Sequence, residues 1–314
     1  MKRKKKLDIR KILVAIIAIV AMTFVIKLAI KNIIKQNKVK LQDNADIEQI
    51  ADTHETTEQA SNQGTEEVAE YRKKDSSSSS KQQTIKQERI NAGKTLSSEG
   101  LPVLMYHFFY DKSKGETGQD GNWIEILNFE EQMKYLAEND FYFPTWQEVE
   151  DYIDGKIELP EKSVVITVDD GDPSFFDLAV PVIQKYDVFA TSFVITYWYG
   201  NRAENKENNV SYQSHSYDMH KAGTNGKGVM LSWDYDKMKD DLALSSEVLG
   251  GANIFCYPFG QYNQLDIEVL KDTGYKLAFT TQAGRVKKGT SKYELPRVRV
   301  ARETSLSAFI KKVD

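Results

Sequence analysis

The chain has a single cysteine in 314 residues, Cys256, so no disulfide can form within it and the fold must rest on a packed core. It lacks an excess of positive charge. Its 42 Lys and Arg stand against 46 Asp and Glu, a formal net charge of -4, which gives no case for a nucleic-acid partner. Histidine is scarce, with four in all: His54, His107, His215 and His220. No phosphate-binding loop is found, which argues against a metal phosphoesterase. Residues 41–98 contain few large apolar residues and one aromatic, Tyr71, so they cannot bury enough surface to offset their chain entropy.

What is present divides into three regions. From Ile12 to Ile26 the chain runs 15 residues without a charge, and Leu28 to Ile30 extend the run past Lys27. About 20 residues span the hydrocarbon of a bilayer, and Lys27 can snorkel. Residues 1–31 therefore read as a cytoplasmic tail and a transmembrane signal anchor. Seven basic residues precede the span, and Lys31, Lys35, Lys38 and Lys40 follow it. The bias favours an N-terminus inside and a catalytic domain outside the cell, on a single-pass membrane protein. Residues 32–98, with the serine run Ser76 to Ser80, read as a polar, disordered stalk. His54 within it reads as a solvated side chain.

Residues 99–314 carry the pattern of a folded α/β domain. Pro102 to Met105 is a short buried strand. Two helices follow, one expected to be capped by Asn128 with Glu131, the other by Thr145 with Glu148. "KSVVITVDDGDPSFFDLAVPVIQKYDVFATSFVIT" reads as strand, helix, strand, with Val164 to Val168 apolar enough for a parallel strand covered on both faces. The alternation continues through "NIFCYPFG", "NQLDIEVLKDTG" and "YKLAFTT". It predicts a parallel α/β fold, barrel or open sheet, with any chemistry at the C-terminal strand ends.

The polar residues at those ends are the candidates. Asp169 and Asp170 follow a buried strand and precede Gly171; alone, they fit a capping turn better than a metal ligand beside a base. His215 and His220 are five apart, about 140° on a regular helix. They can share one ion if His215 precedes a helix, Ser216 caps it and His220 lies in its first turn. His107 ends the first strand, and Tyr257, Pro258 and Phe259 end another; each is either structural or part of a site.

Taken together these residues resemble the polysaccharide deacetylases, the NodB-like carbohydrate esterases, over about residues 100–314. The motifs are "ITVDDG", "HSYDMH" and "YPFG". The resemblance implies a distorted (β/α) barrel, with Asp169 as catalytic base and Asp170, His215 and His220 as ligands of a divalent metal. Zn2+ is the expected ion, with Co2+ or Ni2+ as alternatives. It implies a groove wall at Tyr257, Pro258 and Phe259, and an oxyanion donor in the Tyr257 backbone N–H. The five-residue histidine spacing resembles the branch acting on poly-N-acetylglucosamine in biofilms. There an early "MYH" strand supplies the acid, which implies that role for His107. The family's arginine before Tyr-Pro is replaced by Cys256, and Arg297 or Arg299, two apart on one strand face, are the candidates to orient the base. The expected activity is a hydrolase removing acetyl groups from an N-acetylglucosamine polymer at the cell surface. The alternatives are a peptidoglycan or chitin-oligomer deacetylase, and a non-catalytic glycan-binding or assembly protein on the same fold. No protein partner is indicated. Trp198 and Tyr199 either stack on sugar or pack a strand end.

Overall fold

The computed structural model describes residues 80–203, 207–223 and 226–314. The expected membrane span over 1–31 and the stalk up to residue 79 lie outside the described residues. Among the described residues no helix is long and apolar enough to cross a membrane.

The expected α/β domain is a closed barrel. In chain order its described elements begin with helix α1 over residues 80–91, β1 (Val103–Tyr106), β2 (Phe108–Tyr110), β3 (Trp123–Glu125), α2 (Ile126–Glu138) and α3 (Trp146–Ile153). β4 (Val165–Val168) leads through a π-helical turn, Phe175–Ala179, into α4 (Val180–Lys185) and β5 (Ala190–Val194). Then come α5 (Thr196–Ala203), β6 (Val210–Ser214), α6 (Tyr235–Val248), β7 (Ile254–Cys256), α7 (Gln264–Asp272), β8 (Leu277–Ala283), β9 (Leu295–Arg299) and α8 (Leu306–Val313). The barrel order is β1-β4-β5-β6-β7-β8-β9, with β9 closing against β1, and every pairing is parallel.

Side-chain alternation explains why the strands read as continuous apolar runs. Val103, Val165, Phe193, Ile254, Cys256, Leu277, Phe279 and Leu295 form one buried cluster inside the barrel. Their neighbours Leu104, Tyr106, Ile166 and Val168 point outward and are covered by Phe129 and Met133 of α2, by the π-turn and by Phe309 of α8. With both faces buried, most strand positions are apolar, and buried exceptions such as Thr167, Ser192 and Thr280 are small hydroxyl residues.

Local signals set most boundaries. The Thr145–Glu148 capping box at the start of α3 forms as expected, and Asn263 with Asp266 makes a second at α7. The cap of α2 differs: Glu125, not Asn128, accepts from the N–H groups of Leu127 and Asn128 at 2.9 and 3.2 Å. A carboxylate on the preceding strand outcompetes the nearer asparagine because it reaches two free N–H groups at once.

The stalk expected over 32–98 differs in its last part, where residues 80–91 form α1 against the domain. The Gln82 side chain behaves as a strand edge: its Oε1 accepts from Phe143 N at 3.0 Å and its Nε2 donates to Phe141 O at 3.3 Å. Arg89 Nη1 donates to Glu161 O at 2.9 Å, Lys86 pairs with Glu148, and Ile85 and Leu96 pack on the barrel-interior cluster. A polar helix is thus fastened mainly by side chain-to-backbone bonds, which hydrophobic periodicity does not register. A chain beginning at residue 99 should melt about 5 °C or more below one beginning at residue 80. Equal midpoints by circular dichroism would show that α1 contributes nothing to domain stability.

Candidate active site and metal-ligand cluster

His107, Asp169, Asp170 and His215 sit one or two places beyond their strand ends, where the last ladder bonds pin the backbone. Asp169 N donates to Tyr106 O at 3.0 Å, and His215 N to Val194 O at 3.0 Å. His107 directly follows β1. One mouth of the barrel is therefore lined by His107, Asp169, Asp170, His215, His220, Tyr257, Phe259 and Arg299. Strain accumulates there: Asp170, Ser216 and Phe259 adopt φ of 74°, 74° and 59°, a region costly for side-chain-bearing residues.

Asp170, His215 and His220 converge. Both imidazole Nε2 atoms lie 3.4 Å from Asp170 Oδ1, and the three ligand atoms fall within 4.8 Å of one another. Asp170 Oδ1 is buried and accepts no hydrogen bond. His215 Nδ1 lies 2.7 Å from the Cys256 carbonyl, which can only accept, so Nδ1 carries the proton and Nε2 keeps its lone pair. Burial lowers the His215 pKa, but its neighbours, the Asp170 and Asp169 carboxylates among them, outweigh burial and raise it, so the surroundings favour a positive species, proton or metal cation, bound to the Nε2 lone pair. His220 is pushed down to about 4 by burial and by His215, so it is neutral at physiological pH. An orphaned buried carboxylate oxygen facing two imidazole nitrogens is what a divalent cation requires.

The expected helix between His215 and His220 is absent; the segment is a tight loop. Ser216 Oγ accepts from Met219 N at 3.0 Å and folds the chain back, so five residues bring both rings to one side without helical geometry. Asp241 of α6 holds this loop from beneath, accepting from Tyr217 N and Asp218 N at 2.8 Å each. Burial raises its pKa to about 6. Sequence reading missed Asp241; the available signal was an acid in the inward stripe of α6 with Met238, Leu242 and Ser245.

Asp169 faces the other way. Arg297, 1% exposed, forks onto it with Nη1 to Oδ1 and Nη2 to Oδ2, both at 2.7 Å. Arg297 also donates to Thr280 O at 2.9 Å, Thr167 Oγ1 at 3.1 Å and Cys256 Sγ at 3.1 Å. Burial would raise the Asp169 pKa, but the guanidinium holds it well below the carboxylate range. His107 Nε2 lies 3.7 Å from Asp169 Oδ2, and burial lowers its pKa despite that carboxylate. Of the two candidate arginines, then, Arg297 contacts Asp169. Arg299 is exposed at the mouth and donates to Asn122 Oδ1 at 2.6 Å. Asp169, His215 and Cys256 form a second cluster of potential ligands. Its Asp169 is committed to Arg297 and its His215 Nδ1 to a carbonyl, so it does not suit a cation.

One expectation is corrected. The Tyr257 N–H donates to Phe279 O at 3.0 Å as a barrel ladder bond, so it is not a free oxyanion donor. The Tyr257 ring stacks on Tyr262 and its hydroxyl donates to Tyr293 O, a structural role. Pro258 is buried in the same turn, whereas Phe259 lines the mouth with its ring centroid 4.3 Å from that of His220. Trp198 is 49% exposed, and its ring centroid lies 6.5 Å from that of His220. Tyr197, 58% exposed, packs on Tyr217.

Comparison with known proteins gives the family. Residues 156–278 match the family model described as polysaccharide deacetylase. YxkH of Bacillus subtilis (strain 168), a protein classed with the polysaccharide deacetylases, is 30% identical over 227 residues, covering 69% of this chain and 77% of that protein. The poly-beta-1,6-N-acetyl-D-glucosamine N-deacetylase of Staphylococcus aureus (strain MRSA252) is 27% identical over 210 residues, 61% of this chain and 72% of that protein. The structure of IcaB from Ammonifex degensii is 27% identical with a TM-score of 0.60, over 70% of this chain and 99% of that one. The chain belongs to the polysaccharide deacetylase family, hydrolases that cleave an amide carbon–nitrogen bond.

Removing the buried guanidinium strands Asp169 as an uncompensated charge, so Arg297→Met should cost about 3–5 kcal/mol of stability. Arg297→Lys, which keeps the charge but not the fork, should fold better than Arg297→Met yet lose activity. Denaturant melts check this; an Arg297→Met midpoint equal to wild type would contradict it.

Proposed function

We propose that the protein is a metal-dependent N-deacetylase of poly-N-acetylglucosamine, held at the outer face of the cell membrane by residues 1–31, with the chain up to residue 79 as its stalk. The observation that carries the reading is the pairing of two groups at one barrel mouth. Asp170, His215 and His220 converge on one point, and Asp169 stands beside them, aimed by Arg297 and within 3.7 Å of His107. The similarity to the staphylococcal deacetylase and to IcaB supports the choice of polymer. So do the exposed aromatic rings of Trp198 and Phe259 beside His220, which offer flat faces to a sugar.

Asp170 and the Nε2 atoms of His215 and His220 would hold the ion, and one carboxylate with two imidazoles suits Zn2+, with Co2+ or Ni2+ as substitutes. When bound, such an ion polarises the acetyl carbonyl and lowers the pKa of water from about 15.7 toward 7. Asp169 is anionic at every working pH and accepts the proton of the attacking water. His107 delivers a proton to the leaving nitrogen, which departs poorly from an amide until protonated. Its depressed pKa makes its protonated form a stronger acid than free imidazolium. Water's oxygen is joined to the acetyl carbon, the carbon–nitrogen bond breaks, and acetate and a free amine leave.

Purified protein should release acetate from poly-N-acetylglucosamine, stop when chelated and recover with Zn2+ or Co2+. His107→Ala should keep its metal and lose about 10²-fold or more in rate. His215→Ala should lose both metal and rate. Acetate release by His107→Ala at a near-wild-type rate would refute the assigned acid.

A further inference from the structure

A second concave site lies at the opposite end of the barrel. A cavity of about 510 Å³ opens at the N-terminal ends of β4, β5 and β6, beneath α1. In closed α/β barrels this face ordinarily serves stability and is sealed by packing. Here the seal is incomplete. Thr191, on β5, lines the cavity wall, its hydroxyl 2.6 Å from that of Ser211.

The lining has a definite chemistry. Phe143, Trp146 and Phe189 are half-buried and contribute aromatic surface. Trp146 is anchored against Phe279 of the barrel interior, ring centroids 5.3 Å apart, and Phe143 lies 6.0 Å from Phe189. The amides of Gln83 and Asn208 line the same space and have no side-chain partner among the described residues. No lysine, arginine or histidine lines it among the described residues, and Glu207 is its one acid, so an anionic ligand is disfavoured. Aromatic faces suit the apolar C–H surface of a sugar ring or an acetamido methyl. Free amides supply both donors and acceptors for hydroxyl and acetamido groups. The volume is within the range of small-ligand sites.

We propose that this cavity is a second saccharide site, which takes a neutral N-acetylhexosamine unit of a polymer whose other segments reach the catalytic mouth. The assignment of the sugar rests on the function proposed above. Holding one segment of a long chain at the barrel base raises the local concentration of its other segments at the mouth, a gain that a short substrate cannot use.

Two measurements on the full chain test it. The first is steady-state acetate release by wild type and by the Gln83→Ala/Asn208→Ala double variant, both changes lying at exposed or half-buried positions outside the catalytic group. On long poly-N-acetylglucosamine the variant should show KM raised about tenfold with kcat unchanged, the equivalent of about one or two lost hydrogen bonds. On a two-residue oligomer the two proteins should be indistinguishable. The second is titration of that oligomer into chains carrying Trp198→Phe, which silences the tryptophan beside His220, while following tryptophan emission; the emission should change, and lose most of that change when Trp146→Phe is added. An unaltered KM on long polymer, or an equal emission change with Trp146→Phe added, would overturn the second site. If wild type released no acetate from any N-acetylglucosamine oligomer, the proposed function would fail, and the emission titration would still decide whether the cavity binds sugar.

Discussion

The Arg297–Asp169 ion pair organises this protein. One buried guanidinium on β9 reaches across the barrel interior and uses its donors on β4, β7 and β8, through Asp169 and Thr167, Cys256 and the Thr280 carbonyl. A lone charge at that depth would cost several kcal/mol; the bidentate pair with extra hydrogen bonds offsets the cost and fixes the carboxylate plane. Cys256 matters for its size. It lies against the guanidinium, where a larger side chain would compete for the same volume.

That commitment divides two clusters that share His215. Asp169 and Cys256 are occupied by Arg297, and His215 turns its Nδ1 to the Cys256 carbonyl. Its Nε2 is left facing Asp170 and His220, the one group of three ligand atoms at the mouth not otherwise engaged. Left-handed backbone at Asp170, Ser216 and Phe259 is tolerated because surrounding contacts over-determine it: ladder bonds behind Asp169 and His215, the Asp241 carboxylate under the loop, and Gly260 beside Thr281, where any Cβ would collide with the threonine side chain.

How far the sequence could be read follows from what each feature depends on. The strands and the polar residues gathered at their ends were legible because burial on both faces forces apolar runs, and a charged residue ending such a run stands out. The Thr145 capping box was legible because it is local. The histidine loop was not: a serine turn and a carboxylate from α6, 21 residues beyond His220, do what a helix was expected to do. The choice between Arg297 and Arg299 needed the third dimension, since both share a strand face and differ in depth along the barrel axis. The Tyr257 N–H was misjudged because strand pairing with Phe279 is a property of barrel closure. The docking of α1 was hidden for a related reason, since glutamine and arginine side chains bind distant backbone without leaving an apolar stripe.

The division of the mouth assigns a bound cation to Asp170, His215 and His220 and not to the cluster that includes Cys256. X-ray absorption at the zinc edge of the loaded protein tests it directly. Nitrogen and oxygen scatterers at about 2.0–2.2 Å are expected, with two imidazoles and no sulfur. A sulfur scatterer at about 2.3 Å would place the ion on Cys256 and contradict the division of the site.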